Sequence, residues 1–214
     1  MERIPAALIC LWLLGFSLSG IRCAGTSRQT RPDDSFTYPA DCQIIPREEW
    51  GWQPIERPYQ THTIRYITIH HEGVDHPSDK DVRTYLQNLQ KWSRHNKGWI
   101  DIPYHYIMDF DGKIYEARPV QIPGDTNTDY DVMGHLLICL MGNYENIEVT
   151  PAQLTALIDF CAFTVRRYNV PVESIKGHRD YTETLCPGHH LYRYLADGTI
   201  RDGVVSKLRP APKD

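Results

Sequence analysis

The sequence predicts an α/β domain, in which helices pack on a mixed central β-sheet. Two stretches have the composition of strands: residues 65–73 begin as a β-branched and aromatic run, and residues 135–143 are almost continuously apolar. Two longer stretches, residues 77–92 and 150–168, repeat apolar side chains at helical spacing. Predicted strands and helices alternate along the chain, and residues 103–119 are predicted to add a hairpin.

The N-terminal residues are expected to direct export. A positively charged residue precedes residues 4–21, which carry no charge and contain an apolar core of the length found in signal peptides. We therefore expect a signal peptide over residues 1–23. There are two alternatives. The segment stays uncleaved as a membrane anchor, which would be the only membrane contact, or Cys23 is lipidated. Residues 24–41 are polar and aperiodic, which predicts a flexible linker, and residues 42–214 then form a single domain.

The first predicted strand ends in polar groups. Residues 65–73, RYITIHHEG, finish in His-His-Glu-Gly. The predicted helix over residues 77–92 begins with Ser78 and Asp81, which resemble a capping box. Its apolar residues at i, i+3, i+4, i+7 and i+10 form one stripe. An Asp-Gly pair at 111–112 predicts the turn of the hairpin that follows.

The second half of the chain supplies a buried strand and the longest helix. Residues 135–143, HLLICLMGN, predict a central strand that is buried on both faces. Thr150 is expected to cap the helix over residues 150–168, with Pro151 at its first position. The predicted buried face of this helix consists of Leu154, Leu157, Ile158, Cys161 and Val165. A shorter helix is expected from 189 to 195.

Composition and charge narrow the class of function. The 214 residues carry a formal net charge of −4 and are 41% hydrophobic, as in ordinary globular proteins. A weakly acidic chain is a poor match for nucleic acid, because phosphate binding requires a basic surface, whereas a sugar or peptide ligand stays open. Of the six cysteines, Cys139 and Cys161 lie in apolar patterns and are predicted to be small buried side chains. Cys186 differs, because its neighbours are polar.

The segment GHRDYTETLCPG, residues 177–188, combines a histidine and a cysteine in polar surroundings. A catalytic zinc site takes three protein ligands and keeps a fourth position open. His178 and Cys186 offer two donors, and His70, at the end of the first predicted strand, is a natural third. Such wide separation is typical of a catalytic site assembled by the fold, whereas structural zinc sites use short local spacing. A tandem histidine at the surface is the alternative for His70.

Four motifs carry a resemblance to a known family. ITIHHEG, GWIDIPYHYIMDFDGKIYEARP, LICLMGNYE and GHRDYTETLCPG occur in an order and spacing similar to those of the zinc-dependent N-acetylmuramoyl-L-alanine amidases. This family includes the phage-lysozyme-type amidases and the peptidoglycan recognition proteins. REEWGW resembles the family's N-terminal Arg-x-x-Trp-Gly segment, and the resemblance covers residues 44–195. It implies the amidase-like fold, bound Zn²⁺, and hydrolysis of the amide between N-acetylmuramic acid and L-alanine in peptidoglycan or muropeptides.

The resemblance also implies roles for individual residues. The zinc ligands that it implies are His70, His178 and Cys186. His71 is then expected to contact a ligand rather than the metal. Tyr104 matches a tyrosine that assists catalysis, and Thr184 matches a position where relatives carry threonine or lysine near the reacting carbonyl. Packing of Tyr104 in a strand and loop capping by the Thr184 hydroxyl are the alternatives.

Several positions near the expected cleft depart from the family pattern. Cys139 stands where another branch of these amidases has a catalytic glutamate, so this chain resembles the tyrosine-using branch. Glu72 replaces a usual serine or threonine; it is expected to orient a ligand histidine, to accept a proton or to lie on the rim. Asp125 replaces a histidine of many relatives, and with Asn127 it is expected to contact substrate or a ligand. His105 is predicted to face the other side of the sheet and to be structural.

Two other functions are compatible with the same residues. The fold could bind muropeptides without hydrolysing them. A metal-free cysteine hydrolase, with Cys186 as nucleophile and His178 as base, is the third reading. We expect a monomer that is exported to the periplasm, the cell envelope or the exterior. The sequence indicates neither the source of the peptidoglycan nor the preferred stem peptide.

Overall fold

The computed structural model describes residues 38–40, 42–76 and 80–209. The expected signal peptide and most of the expected linker lie outside the described residues. Tyr38 falls in the expected linker, yet its hydroxyl donates to Glu116 Oε1 at 2.6 Å, and its ring centroid lies 5.2 Å from that of Phe163. Tyr38 therefore packs with the domain, which extends beyond the expected boundary at residue 42.

Within the described residues, six strands form one mixed sheet. They are β1 (Ile44–Ile45), β2 (Tyr66–His71), β3 (Tyr106–Met108), β4 (Ile114–Glu116), β5 (His135–Leu140) and β6 (Ile175–Gly177). Their spatial order is β1-β4-β3-β5-β2-β6, and every neighbouring pair is parallel except β3 and β4. That antiparallel pair is the predicted hairpin, and Gly112 at its turn has a φ of 81°, which glycine adopts without steric strain. The prediction of a mixed central sheet is confirmed.

The pairing of β2 with β5 determines where the polar end of β2 lies. All six residues of β5 are buried, which confirms the predicted central strand. β2 runs parallel to β5 with His70 opposite Cys139. Ligand sites of open α/β sheets lie outside the carboxyl ends of such strands. The His-His-Glu-Gly sequence therefore leaves β2 at the edge of the sheet where a site is expected.

In the part of the chain that the structure describes, four α-helices pack on the sheet. They are α1 (Val82–Asn96), α2 (Pro151–Tyr168), α3 (His189–Ala196) and α4 (Thr199–Leu208). The predicted start of α1 is wrong, because Asp81 is the N-cap and its carboxylate accepts a hydrogen bond from Arg83 N at 3.1 Å; Ser78 lies outside the described residues. The predicted cap of α2 is confirmed, since Thr150 Oγ1 accepts from Gln153 N at 3.1 Å. Among the described residues, each helix is too short or too polar to cross a bilayer.

Apolar side chains cover both faces of the sheet. One layer contains the buried residues of α2, α3 and α4. The other layer contains Leu86 of α1 and Trp50, which precedes β2 in the chain. Cys139 and Cys161 are buried in these layers, as predicted. The buried face of α2 is wider than the predicted stripe. It also includes Phe160, Ala162, Phe163 and Thr164, whereas Leu154 and Ile158 are only partly buried.

Candidate metal centre

A cleft of about 180 Å³ opens beside the carboxyl end of β2. Its lining includes every candidate site residue nominated above. The lining residues that were not predicted are Trp99, Pro103, Thr126 and Thr128. A larger cavity of about 520 Å³ lies beside β6, α3 and the start of α4, and none of the three candidate metal ligands lines it. The candidate chemistry is therefore gathered in the smaller cleft.

Three donors from separate segments converge in this cleft. His70 is near the end of β2, His178 begins the 3-10 helix His178–Asp180 after β6, and Cys186 lies in the loop before α3. One donor atom from each side chain lies within 4.8 Å of the others. Cys186 Sγ is 3.6 Å from His70 Nδ1, and the ring centroids of His70 and His178 are 4.5 Å apart. The fold thus brings together the three residues that the sequence nominated as ligands.

The ionisation of these groups suits a metal. Burial, with the neighbouring His178 ring and other histidines, lowers the pKa of His70 well below 6.5. Burial also lowers the pKa of His178 to about 4, so both imidazoles are neutral at pH 7, the form that binds a metal. Burial raises the pKa of the Cys186 thiol to about 12, opposed by the His71 N–H and by Arg179. A bound metal ion deprotonates such a thiol.

Zinc fits this set of donors. Two imidazoles and one thiol are ligand types that Zn²⁺ prefers, and three protein ligands leave a fourth position for water or substrate. His71 supports the sulfur through its backbone, because its N–H points at Cys186 Sγ at 3.4 Å. Its ring is used elsewhere, since His71 Nδ1 accepts a hydrogen bond from Tyr144 N at 3.2 Å. His71 therefore contacts a candidate ligand through its main chain, while its ring contacts the segment after β5.

The far sides of both histidine rings meet hydroxyl groups of one loop. Thr128 Oγ1 lies 2.7 Å from His178 Nε2, and Tyr130 OH lies 3.5 Å from His70 Nε2. Neither hydroxyl was predicted from the sequence. Loop threonines and tyrosines are too common to mark such a contact. With the candidate ligands in hand, the hydroxyl side chains in the loop before β5 are the sequence signal that could have pointed to these two residues.

Tyr104 and Thr184 line the same cleft. The half-buried Tyr104 ring has its centroid 5.3 Å from that of His70. Burial, with the nearby Cys139, raises the Tyr104 pKa well above 10, so its hydroxyl stays protonated at neutral pH. Thr184 Oγ1 accepts a hydrogen bond from Cys186 N at 3.2 Å, which is the loop capping considered as its alternative. Thr184 thus stabilises the loop that carries Cys186, and it also lines the cleft.

Glu72 has a hydrogen-bond partner that none of the three roles considered for it includes. Its carboxylate receives hydrogen bonds from the His76 ring and from Gly142 N, the latter at 3.4 Å. His76 Nδ1 is in turn 2.6 Å from Lys80 Nζ. Because the ammonium group of lysine only donates, His76 carries its proton on Nε2 and donates to Glu72. Glu72 is therefore linked through His76 to Lys80 by hydrogen bonds. Among the hydrogen bonds of the described residues, none joins the Glu72 side chain to His70 or His178.

Asp125 and Asn127 occupy the wall of the cleft. Asp125 pairs with the guanidinium of Arg118, which is only 1% exposed and also donates to carbonyls of Asp101, Ile102 and Pro123. Asp125 thus balances a buried charge, a role that was not predicted. Asn127 is exposed on the rim. Away from the cleft, His105 donates to Ile122 O and accepts from Leu137 N, both at 2.9 Å, so its predicted structural role is confirmed.

Comparisons with known proteins agree with the geometry. Residues 60–189 match the model of the family described as N-acetylmuramoyl-L-alanine amidase. The chain is 31% identical over 156 residues to peptidoglycan recognition protein 1 of Mus musculus, a match that covers 71% of this chain and 85% of the mouse protein.

Solved structures show the same relationship. The crystal structure of Drosophila peptidoglycan recognition protein SD matches with a TM-score of 0.65 and 26% identity, covering 72% of this chain and 93% of that one. Human PGRP-IβC, solved in complex with glycosamyl muramyl pentapeptide, matches with a TM-score of 0.63 and 27% identity, covering 72% and 94% of the two chains. The predicted fold and family are confirmed: the chain belongs to the N-acetylmuramoyl-L-alanine amidase family, which includes the peptidoglycan recognition proteins.

Proposed function

We propose that this chain is a zinc hydrolase that cleaves the amide between N-acetylmuramic acid and L-alanine in peptidoglycan or muropeptides. The observation that carries the proposal is the convergence of His70, His178 and Cys186 donor atoms within 4.8 Å at a cleft that also contains Tyr104. A cleft used for binding alone has no need of three metal donors. The muramyl peptide bound by the human relative supports the substrate class.

The protein would hold Zn²⁺ through two neutral imidazoles and one thiolate. When bound, the metal would supply a Lewis acid that polarises the scissile carbonyl and lowers the pKa of water to about 7. The remaining tasks fall to the chain. The His71 N–H points at the Cys186 sulfur and stabilises its negative charge. The hydrogen bond from Cys186 N to Thr184 Oγ1, at 3.2 Å, helps to fix the backbone of the loop that carries the sulfur.

Tyr104 is the proposed donor to the transition state. Its phenol keeps its proton at neutral pH, because burial raises its pKa. A neutral phenol can donate a hydrogen bond to the oxygen that becomes negative when water adds to the amide. The Thr184 hydroxyl, whose oxygen accepts from Cys186 N, would donate its proton in a hydrogen bond to the substrate carbonyl oxygen. Tyr104 lies two residues before β3, where its carbonyl accepts a hydrogen bond from Arg118 N at 3.1 Å.

We further propose that the protein acts outside the cytoplasm. The uncharged apolar stretch at residues 4–21 supports export, and peptidoglycan is an extracytoplasmic polymer. The residue roles are the same whether the substrate is the cell's own wall or another organism's. The protein is proposed to work as a monomer, because the three metal ligands come from one chain.

The metal-free cysteine hydrolase has weaker support. A nucleophilic cysteine needs a lowered pKa or a neighbouring base, whereas burial raises the pKa of Cys186 to about 12. The nitrogen in contact with its sulfur belongs to His70 rather than to the expected base His178. Binding without hydrolysis is the stronger second candidate, because the matched mouse protein is named for recognition.

A combined assay of zinc content and muropeptide products tests the proposal. Wild-type protein should carry one zinc per chain and release the stem peptide from the lactyl group, as mass spectrometry of the digest would show. Cys186→Ser should lose both zinc and hydrolysis while keeping its fold. Cys161→Ala, a change at a buried cysteine away from the cleft, is the matched control and should keep both.

The outcomes separate the three functions. Full hydrolysis in the presence of a chelator would support the cysteine hydrolase. Zinc binding and muropeptide binding without any product would identify a recognition module. A Cys186→Ser protein that retains stoichiometric zinc and normal turnover would overturn the ligand assignment.

A further inference from the structure

We infer that the loop before β5 is built to orient both histidine ligands, and that Thr128 and Tyr130 are positioning residues for the metal site. The inference rests on the proposed function only in taking zinc as the metal. Each of these two hydroxyls meets the Nε2 atom of a different candidate ligand. The loop therefore touches both imidazoles on the sides that a metal bound at Nδ1 would leave free.

His178 shows why such a contact matters. Thr128 Oγ1 occupies its Nε2 atom at 2.7 Å, so Nδ1 is the nitrogen available to a metal. Nε2 then carries the ring proton and donates to Thr128. The side chain of His178 is almost fully buried, and a buried donor without an acceptor costs about 1–3 kcal/mol. Removal of the Thr128 hydroxyl would therefore penalise the tautomer that binds metal.

Thr128 is itself fixed by its neighbour. Its backbone N–H donates to Thr126 Oγ1 at 3.1 Å, and the two threonine hydroxyls are 2.7 Å apart. When His178 Nε2 donates to Thr128, the Thr128 hydroxyl is free to donate onward to Thr126. This arrangement gives the His178 Nε2 proton and the Thr128 hydroxyl proton one acceptor each. The acceptor for His178 is thus pre-organised by the loop rather than selected from mobile side chains.

His70 follows the same pattern from the other side of the site. Its Nδ1 faces Cys186 Sγ at 3.6 Å, which directs Nε2 towards Tyr130 OH. The Tyr130 ring is held by stacking on Tyr181, with centroids 5.6 Å apart and planes inclined by 16°. It also contacts the His178 ring at 5.0 Å. Tyr130 therefore buttresses both imidazoles, one through its hydroxyl and one through its ring.

The test measures zinc affinity in the absence of substrate, because Thr128 also lines the cleft. Competition with a chromogenic chelator gives the zinc dissociation constant of wild-type protein and of each variant. Thr128→Val should weaken zinc binding about 10- to 100-fold, the usual effect of losing the partner of a ligand histidine. Thr128→Ser keeps the hydroxyl and should restore near wild-type affinity. Tyr130→Phe should weaken binding less, because its contact is longer.

Matched controls separate a specific effect from general damage. Thr155→Val changes an exposed threonine of α2, and Tyr194→Phe removes a hydroxyl that contacts Arg193. Both should bind zinc as wild type does. Thermal unfolding of each variant checks the fold, and Thr128→Ala replaces Thr128→Val if the valine variant does not fold.

The results distinguish this inference from the proposed function. Wild-type zinc affinity in Thr128→Val, or in Thr128→Ala where that variant replaces it, would overturn the inference and leave the hydrolase proposal untouched. A wild-type chain that binds zinc without hydrolysing muropeptides would defeat the hydrolase proposal alone, and the affinity measurements would still decide the role of Thr128. A wild-type chain with no affinity for zinc would overturn both.

Discussion

Tyr104 is the residue on which the proposed chemistry can be tested without disturbing the metal. It is half-buried beside His70, and its phenol is not among the three candidate donors. Tyr104→Phe is expected to lower kcat about 10²- to 10³-fold, the usual cost of losing one donor to a developing oxyanion. Zinc content should be unchanged. Steady-state kinetics on a muropeptide, with metal analysis of the same sample, checks both.

A neighbouring tyrosine provides the control for that experiment. Tyr106 is buried in the other layer, where its hydroxyl lies 3.2 Å from that of Tyr38. Tyr106→Phe should keep the kcat of wild type. If Tyr104→Phe also turned over substrate at the normal rate, Tyr104 would have no part in the mechanism.

Site residues differed in how well the sequence could predict them. His70, His178 and Cys186 could be nominated because few side-chain types bind zinc, and because their motifs match a family. Thr128 could not, because its contact with His178 spans 50 positions and depends on the path of a loop. Glu72 was placed in the cleft correctly, but its partner His76 lies outside the family motif, and only coordinates could show that pairing.

One wall of the cleft depends on a buried cation. The Arg118 guanidinium donates to main-chain oxygens of Asp101 and Pro123 and pairs with Asp125, so it joins two separate segments. Asp125→Asn would remove the counter-charge of an almost fully buried group. We expect the free energy of unfolding to fall by about 2–3 kcal/mol, less than for a fully buried pair because Asp125 is 31% exposed. Urea unfolding followed by circular dichroism measures this loss.

The exposed Asp129 offers the comparison for this change. Asp129→Asn alters the net charge in the same way at an exposed position four residues further along the chain and should leave the unfolding free energy almost unchanged. A raised KM in Asp125→Asn with no loss of stability would instead support the substrate contact expected from the sequence.

Elements with strong local signals were predicted, and those that depend on tertiary contacts were not. The helix α2 has a complete capping box and Pro151 at its start, so its beginning could be located from sequence. The strand β6 has only three residues, too few to show a period. The helix α4 contains Gly203, which disfavours a helix. A Cβ atom at Gly203 would lie 2.9 Å from Ile158 side-chain atoms, so the glycine permits α4 to pack on α2.

Buried neutral histidines make the whole domain sensitive to acid. Burial lowers the pKa of His105 to about 3 and that of His135 to about 4, from 6.5. Between these values and about pH 6.5, the unfolded chain binds protons that the folded chain does not. The free energy of unfolding therefore falls as the pH falls through this window, by about 1.4 kcal/mol per pH unit for each histidine. We expect His105 alone to account for about 2 kcal/mol between pH 7 and pH 5.

Urea unfolding at pH 7 and pH 5, in chelator to remove metal effects, tests this dependence. His105→Gln replaces the ring with an uncharged amide, so the difference in stability between the two pH values should be smaller in the variant by that amount. The comparison with wild type cancels the opposite effect of buried carboxyls such as Glu72, whose pKa burial raises. An equal pH dependence in both proteins would show that His105 protonates as readily in the folded state as in the unfolded chain.

The spacing of the three candidate metal ligands has a consequence for how long the folded protein would last in the compartment to which we propose that it is exported. His70 and Cys186 are 116 positions apart, and α1, α2 and most of the sheet lie between them. An ion shared by these side chains would link the two ends of that long segment only in the folded protein, because the donors come together only when the sheet has formed. The durability of the domain would then follow the free zinc concentration of its surroundings, because an ion that binds only the native form shifts the folding equilibrium towards it.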